Sequence, residues 1–507
     1  MTGATAVSIK DTGLLSAGIR RGIFPAAILG LVQFVMTLIW IGRPSYWGDE
    51  AATIAATARP IQDLPRLVAH IDAVHTAYYL LQGSYMSVVG TSPSLTRLTS
   101  AAALALTVSG IVVLGTRLGG RRVGLYAGAI AILLPGLAWT GMEVRSFSLT
   151  ALLAVGTVLA VEAASRASGW RLWSAYAILL ALSTWIFVFA AMVALPCAVL
   201  ALQRGRFRAY AGASAAAALA SAPIVIVTQA QAGQVGWIEN SAAGLAYDVA
   251  VGQFFFGQRP YDAEAGILGL CALALAAMAW GTIAAGIVRG HRSGMVDNTA
   301  VLGIWVVAPA LILVGLTLLG KPLYLERYLT FTAPALCIWL GASFAALKPR
   351  VGIAALCAFA FLAAPILVHQ KTEGAKPDNY AALAEWVAER KEPDSAVIYS
   401  TIRARGVSVS YPEAFEGIDD VARLTGPVDM GTFWGSDLAP GDLPLEKVTG
   451  KSVFVFNLTQ YPGGYPDAAD PLAVAADDPY VTQLTGSGCR IEDASSVTTF
   501  TAYLLRC

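Results

Sequence analysis

Four short stretches place ionisable side chains beside long apolar runs. Asp49 and Glu50 sit in Trp47-Gly48-Asp49-Glu50-Ala51, just past the first apolar run. Asp72 and His75 follow in Asp72-Ala73-Val74-His75-Thr76-Ala77-Tyr78-Tyr79, and Glu143 and Arg145 in Met142-Glu143-Val144-Arg145-Ser146-Phe147. Lys321, Tyr324, Glu326 and Arg327 share Lys321-Pro322-Leu323-Tyr324-Leu325-Glu326-Arg327-Tyr328. A carboxylate so placed can take a proton from an attacking hydroxyl. Arg offers a bidentate fork to a phosphate and Lys a point charge. Ionisable groups at a membrane are costly to keep, which makes them functional candidates by default. Taken singly, each has a bland explanation. Helix capping accounts for Asp49 and Glu50, a Glu143–Arg145 surface pair would stabilise little, and Lys321 could be a snorkelling anchor.

The elements that must position these groups are membrane helices. The chain has 507 residues, of which 56% are hydrophobic and only 13% charged, with a mean hydropathy of +0.62. Soluble domains carry roughly 25% charge. A span needs about 20 mainly apolar residues, and eleven stretches qualify: 22–42, 97–116, 123–142, 146–164, 172–187, 188–203, 209–228, 265–288, 299–319, 328–347 and 351–368. The run 172–203 is too long for one helix, so it is divided near Phe187. The fold class expected is a polytopic α-helical membrane protein with about eleven transmembrane helices and a C-terminal extracytoplasmic α/β domain.

Charge sets the orientation. Ala77–Gly90 is apolar but short. If it lies flat in the interface as an amphipathic helix, the arginine clusters 117–122, 166–171, 204–208 and 289–292 all fall on one side, which the positive-inside rule makes cytoplasmic. The N-terminus is then cytoplasmic and the tail extracytoplasmic, in the plasma membrane. Ten acids of the membrane half face outward: Asp49, Glu50, Asp63, Asp72, Glu143, Glu239, Asp248, Asp262, Glu264 and Glu326. The outer loops 43–96 and 229–264 are long, and the second carries Trp237. No cleavable leader is evident, so the first run is read as a retained anchor.

Residues 1–369 hold 23 Lys+Arg against 13 Asp+Glu, and residues 370–507 hold 11 against 20. This marks a domain border near His369, and the acidic tail gives no support to nucleic-acid binding. Within 370–507, Tyr380–Arg390 has helical periodicity, while Ser395–Ser400, Ser452–Asn457 and Val497–Leu505 read as strands. Phe433-Trp434 in a Gly-rich loop could stack on a glycan or fill the domain's core. Cys489 and Cys507 can pair if the tail is extracytoplasmic. No Cys/His spacing of a zinc site occurs and no cofactor is expected, although Asp49-Glu50 leaves a divalent ion open.

The combined order of the motifs resembles the polyprenyl-phosphate-sugar-dependent glycosyltransferases of the GT-C fold, in the branch of protein mannosyltransferases and aminoarabinose transferases. The resemblance rests on Asp49-Glu50, His75-Thr76-Ala77-Tyr78-Tyr79, Arg145-Ser146-Phe147 and Glu326-Arg327-Tyr328-Leu329 and covers about residues 20–369. Where the family often has His-Pro-Pro or Lys-Pro, this chain has His75-Thr76-Ala77, which leaves the role of His75 open. The resemblance implies inverting transfer of a sugar from a polyprenyl-phosphate donor to an envelope glycolipid, lipoglycan or protein, with the bilayer as host. Asp49 is expected as general base, with Glu50 as the second catalytic residue orienting the acceptor or the loop. Arg145, Lys321, Arg327 and His75 are expected at the donor phosphate, and Asp72, Tyr78, Tyr79, Glu143, Trp237, Tyr324 and Glu326 around the substrates. Mannose is the first donor sugar, on a composition like that of actinobacterial chains, and decaprenyl-phosphate arabinose the second. A lipid-linked glycan flippase would need polar groups near the midplane and matched halves, and the chain shows neither.

Overall fold

A computed structural model describes residues 10–167, 169–238, 241–257, 265–291, 297–458 and 475–507. Glu239, Asp262 and Glu264, expected on the outer side, lie outside the described residues. All eleven apolar stretches are helical. Seven helices among the described residues are long and apolar enough to cross a membrane. The others are shorter or interrupted. A helix breaks at Leu134 before Pro135, whose missing N–H and restricted predecessor end a helix. The run 172–203 divides as expected: Trp170–Ile186 stops at an extended Phe187, and a tight turn over Val188–Val193 leads into Ala194–Gln203.

Small residues let these helices close up. A Cβ on Gly341 would lie 2.7 Å from the Ala127 backbone nitrogen, so helices Arg121–Leu133 and Ala333–Ala345 approach backbone to backbone. Thr76–Val89 is a helix of 14 residues. At about 1.5 Å per residue it reaches roughly 21 Å, short of a bilayer core of about 30 Å. Tyr78, Tyr79, Gln82 and Met86 are its buried side, while Leu80, Leu81 and Val88 are exposed. That division suits an interfacial helix.

The connections 39–97, 134–146, 231–238 with 241–257, and 319–326 gather at one end of the bundle, together with the described residues after His369. Lys371 fastens this end. Its ammonium donates to the carbonyls of Met36, Thr37 and Ile39, the free acceptors where the first helix, Lys10–Leu38, runs out.

The C-terminal part is built on a five-stranded sheet. Its strands are β1 (Ala396–Tyr399), β2 (Asp419–Asp420), β3 (Ser452–Leu458), β4 (Arg490–Val497) and β5 (Phe500–Arg506), in the order β2-β1-β3-β5-β4. β1 runs parallel to both its neighbours, while β5 is antiparallel to β3 and β4. The helix Tyr380–Arg390 starts at the Asn379 cap and packs on one face, with Trp386 against Phe454. Cys489 and Cys507 form a disulfide.

This domain is seated directly on the membrane half. Tyr46, Ala51, Ile54, Met86 and Val144 share one apolar cluster with Tyr380, Leu383, Val407 and Phe454. Gly406 lets the parts meet, since a Cβ there would stand 3.3 Å from that of Ala51. The Gly48 N–H donates to Asp378 Oδ2 at 2.9 Å, and the Tyr46 N–H to the Tyr411 hydroxyl at 3.0 Å. The segment carrying Asp49 is therefore held from both sides.

Candidate active site

Asp49 and Glu50 open the helix Gly48–Thr57. Successive residues on a helix point about 100° apart, so two adjacent carboxylates cannot share a direction. Glu50 turns inward. Both its oxygens accept from the buried Arg97, at 2.9 and 2.8 Å, and Oε1 also accepts the Val144 N–H at 2.9 Å. Arg97 donates further to the carbonyls of Ile41, Pro44 and Ser45. Glu50 is thus the anchor of three connecting segments at this end of the bundle and does not border the cavity next to Asp49.

That cavity has a volume of about 980 Å³. Asp49, Asp72, His75, Arg145, Lys321 and Arg403 supply its charged and polar groups, and Phe187, Phe189, Tyr328, Trp237, Phe433 and Trp434 its aromatic walls. Arg327 stands behind Asp49, with Nε 3.2 Å from Oδ2 and its guanidinium over the Trp47 ring. Burial alone would raise the Asp49 carboxyl. Arg327, then Arg145, outweigh burial and hold it below the usual carboxylate range.

Arg145 lies at the centre of the polar end. Its Nη2 donates to His75 Nε2 at 3.0 Å, and Nη1 reaches Thr53 Oγ1 at 3.4 Å and the Tyr79 hydroxyl at 3.5 Å. Asp72 Oδ2 is 3.9 Å away and accepts a short hydrogen bond from Tyr79. Asp72 has φ of +56°, a strained setting for a non-glycine residue. The side chains of Gln234 and Gln231 hold it by accepting the N–H groups of Asp72 and Ala73. Since an arginine only donates, His75 accepts at Nε2 and carries its proton on Nδ1, beside Ser146 Oγ at 3.2 Å. Burial and then Arg145 push the His75 pKa well below its ordinary value. His75 was expected as a cationic helper at the phosphate. It is instead neutral, stacked on Phe187, and aims Arg145.

The other expected residues separate clearly. Trp237 and Lys321 reach the cavity, and both are exposed. Tyr79 contacts it through Asp72 and Arg145. Tyr78 sits behind Arg145 in a small pocket with Ser100 and Leu149. Glu143 is fully buried and faces Lys376, 3.5 Å away, whose ammonium lies 3.8 Å from the Trp139 ring centroid. Tyr324 is buried and donates to Gln253 Oε1, and Glu326 does not border the cavity. For Glu143 and Tyr324 a direct substrate contact is replaced by a supporting position, and Glu326 is not brought to the cavity. Sequence reasoning missed Arg97, Lys376, Tyr380 and Arg403. Arg97 had one signal, because an arginine on the side predicted to be poor in positive charge asks for a local acid.

Membrane-type helices with a polar cavity at one end, beneath a C-terminal sheet domain, are an arrangement shared with solved structures of the GT-C fold. Two solved structures illustrate this likeness. ArnT from Cupriavidus metallidurans in the apo state superposes with a TM-score of 0.60 at 10% identity, covering 98% of each chain. The same enzyme bound to undecaprenyl phosphate gives 0.56 at 11% identity, covering 97% of this chain and 98% of that one. At such identity the likeness is one of fold. No protein-family model and no curated protein sequence matches the chain.

Proposed function

We propose that this chain transfers a sugar from a polyprenyl-phosphate donor to an acceptor hydroxyl at the outer face of the plasma membrane. The observation that carries the reading is one cavity lined by an ionised Asp49, Arg145 and, at the rim, Lys321, with apolar walls between them and Arg327 paired to Asp49 from behind the lining. In an inverting displacement the acceptor oxygen bonds to the anomeric carbon. The bond from that carbon to the phosphate oxygen breaks, and its electron pair leaves on the lipid phosphate. The acceptor's proton passes to Asp49. Arg327, Arg145 and Lys321 stabilise the charge growing on the phosphate. A bound phosphate also draws on Arg327, which leaves Asp49 less neutralised and more basic when the donor is in place. The ArnT structure with undecaprenyl phosphate supports a lipid-phosphate donor by analogy of fold.

Mannose is the first donor sugar to test and decaprenyl-phosphate arabinose the second, with an envelope glycolipid, lipoglycan or protein as acceptor. The test is product analysis with purified protein, a panel of polyprenyl-phosphate sugars and crude envelope acceptors, with and without EDTA. Arg327→Ala is expected to weaken polyprenyl-phosphate binding at least about tenfold, the worth of one charge-assisted contact. Wild-type donor affinity in that variant, or no sugar transfer from any polyprenyl phosphate, would overturn the reading.

A further inference from the structure

Besides the cations of the membrane half, the cavity receives one from the C-terminal domain. Asp49 is matched by Arg327 and Asp72 by Arg145. Lys321 and Arg403 also line the cavity, and Arg403 stands in the field of Asp49 and Asp378 without a close ion pair to either. Lys321 follows directly on the helix Asp297–Leu318, at the membrane edge where a lipid phosphate would arrive. Arg403 comes from the soluble domain, in the turn Ile402–Arg405 just after β1.

That turn is braced. Two residues on, the buried Arg405 is ion-paired to Asp420 and Asp437, and its Nη1 donates to the Trp434 carbonyl at 2.8 Å. One guanidinium therefore fixes Arg403 relative to the Phe433-Trp434 aromatic pair, whose ring centroids are 5.8 Å apart. From the membrane half, Arg59 Nη2 donates to the Thr432 carbonyl at 2.9 Å. Gly435, at φ +80°, lets the segment pass within contact of Thr425, since a Cβ there would lie 2.3 Å from the Thr425 carbonyl oxygen. A cation and the half-buried Trp434, backed by Phe433 packed against Ala55 and Leu67, thus border the cavity from a rigid mount. An aromatic face suits the apolar side of a sugar ring, and an arginine suits a phosphate or carboxylate.

We propose that Arg403 with Phe433 and Trp434 forms an acceptor subsite that selects a saccharide bearing an anionic group close to the accepting hydroxyl. This rests on the transferase reading above and names its acceptor class. The anion can be a phosphate or a uronic carboxylate, because the shared chemistry is a negative charge beside a stackable ring. The domain after His369 is then part of the substrate site as well as a cover for it.

The test is direct binding to purified full-length protein in nanodiscs, followed by tryptophan fluorescence. The probes are hexose 6-phosphate, hexuronate, the neutral methyl hexoside and, separately, undecaprenyl phosphate. Wild type is expected to bind at least one of the two anionic sugars about tenfold or more tighter than the neutral one, and comparison of the two identifies the preferred anion. Arg403→Gln abolishes that preference and leaves undecaprenyl phosphate binding unchanged. Lys321→Gln does the reverse. Trp434→Leu weakens charged and neutral sugars alike. No anion preference in wild type, or a preference that survives Arg403→Gln in a protein with wild-type thermal unfolding, overturns the subsite. A wild type that binds the anionic sugars selectively but not undecaprenyl phosphate overturns the donor reading and leaves the subsite standing.

Discussion

The adjacent carboxylates Asp49 and Glu50 should fail in opposite ways when neutralised. In Asp49→Asn the side chain keeps its shape and loses its charge. If Asp49 takes the acceptor's proton, turnover falls by about 10²–10⁴, the usual worth of a positioned general base. Donor binding should hold or tighten, because Arg327 and Arg145 lose a competing anion and keep their positions. Folding should change little, since Asp49 retains partial access to solvent. In Glu50→Gln the accounting reverses. Arg97 would remain fully buried with three carbonyls and no countercharge. Breaking such a pair costs about 3–5 kcal/mol, a large part of a typical folding free energy of roughly 5–15 kcal/mol. Thermal unfolding in detergent, a donor-binding titration and a single-turnover transfer assay, run on both variants, separate the two roles. Transfer by Asp49→Asn within about tenfold of wild type would refute the base assignment. A Glu50→Gln protein with wild-type unfolding but little transfer would show Glu50 to be the reacting group.

Three other outcomes follow from the same geometry. His75 has a folded pKa well below its unfolded value of about 6.5. Its contribution to stability is present above that pH and is lost as pH falls toward the folded pKa. The difference in unfolding free energy between wild type and His75→Gln should therefore shrink as pH is lowered below about 6.5, and a constant difference from pH 7.5 to 5 would contradict the neutral assignment. Gly435→Ala combines a left-handed backbone cost of about 1–2 kcal/mol with a clash on Thr425. It should loosen Trp434 and weaken sugar binding before donor binding, and equal loss of both would argue against a local effect. Replacing Cys489 and Cys507 by serine opens a loop with a sequence separation of 18. The cost should be about 3 kcal/mol and fall on the C-terminal domain, read as faster proteolysis after His369 with donor binding kept.

The elements legible in the sequence are those set by local composition. Apolar length gives every helical stretch, including the break at Phe187, and the short apolar run at 77–90 forms the 14-residue helix Thr76–Val89. The helix Tyr380–Arg390, the three strands foreseen in the tail and the pairing of Cys489 with Cys507 follow from periodicity and cysteine position. Side-chain direction does not. Asp49 and Glu50 are equivalent in sequence, and only the position of Arg97, 47 residues from Glu50, decides which of them faces the cavity. Tyr324 and Glu326 share a motif with Arg327, yet Tyr324 is drawn inward by Gln253 and Glu326 stays off the cavity. Arg403 reaches the site only through the seating of one domain on another, which no spacing records.

Sites carried on loops are less exact than sites carried on helices or strands, and nearly every group around this cavity is on a connection or at a helix end. The structure answers with long-range polar braces. Glu50 and Arg97 tie 41–45 to 144. Gln231 and Gln234 accept from the backbone at Asp72 and Ala73 and donate to the carbonyls of Val68 and His70. Arg59 and Arg405 fasten the Phe433-Trp434 segment from opposite domains. Each brace satisfies backbone groups that a loop would otherwise leave to water, and each joins segments far apart in the chain. Because Tyr46, Ala51 and Val144 complete their apolar cluster only with Tyr380, Leu383 and Val407, the mount for Asp49 is itself incomplete without the C-terminal domain. The proposed donor and acceptor subsites therefore share one mount built from both domains.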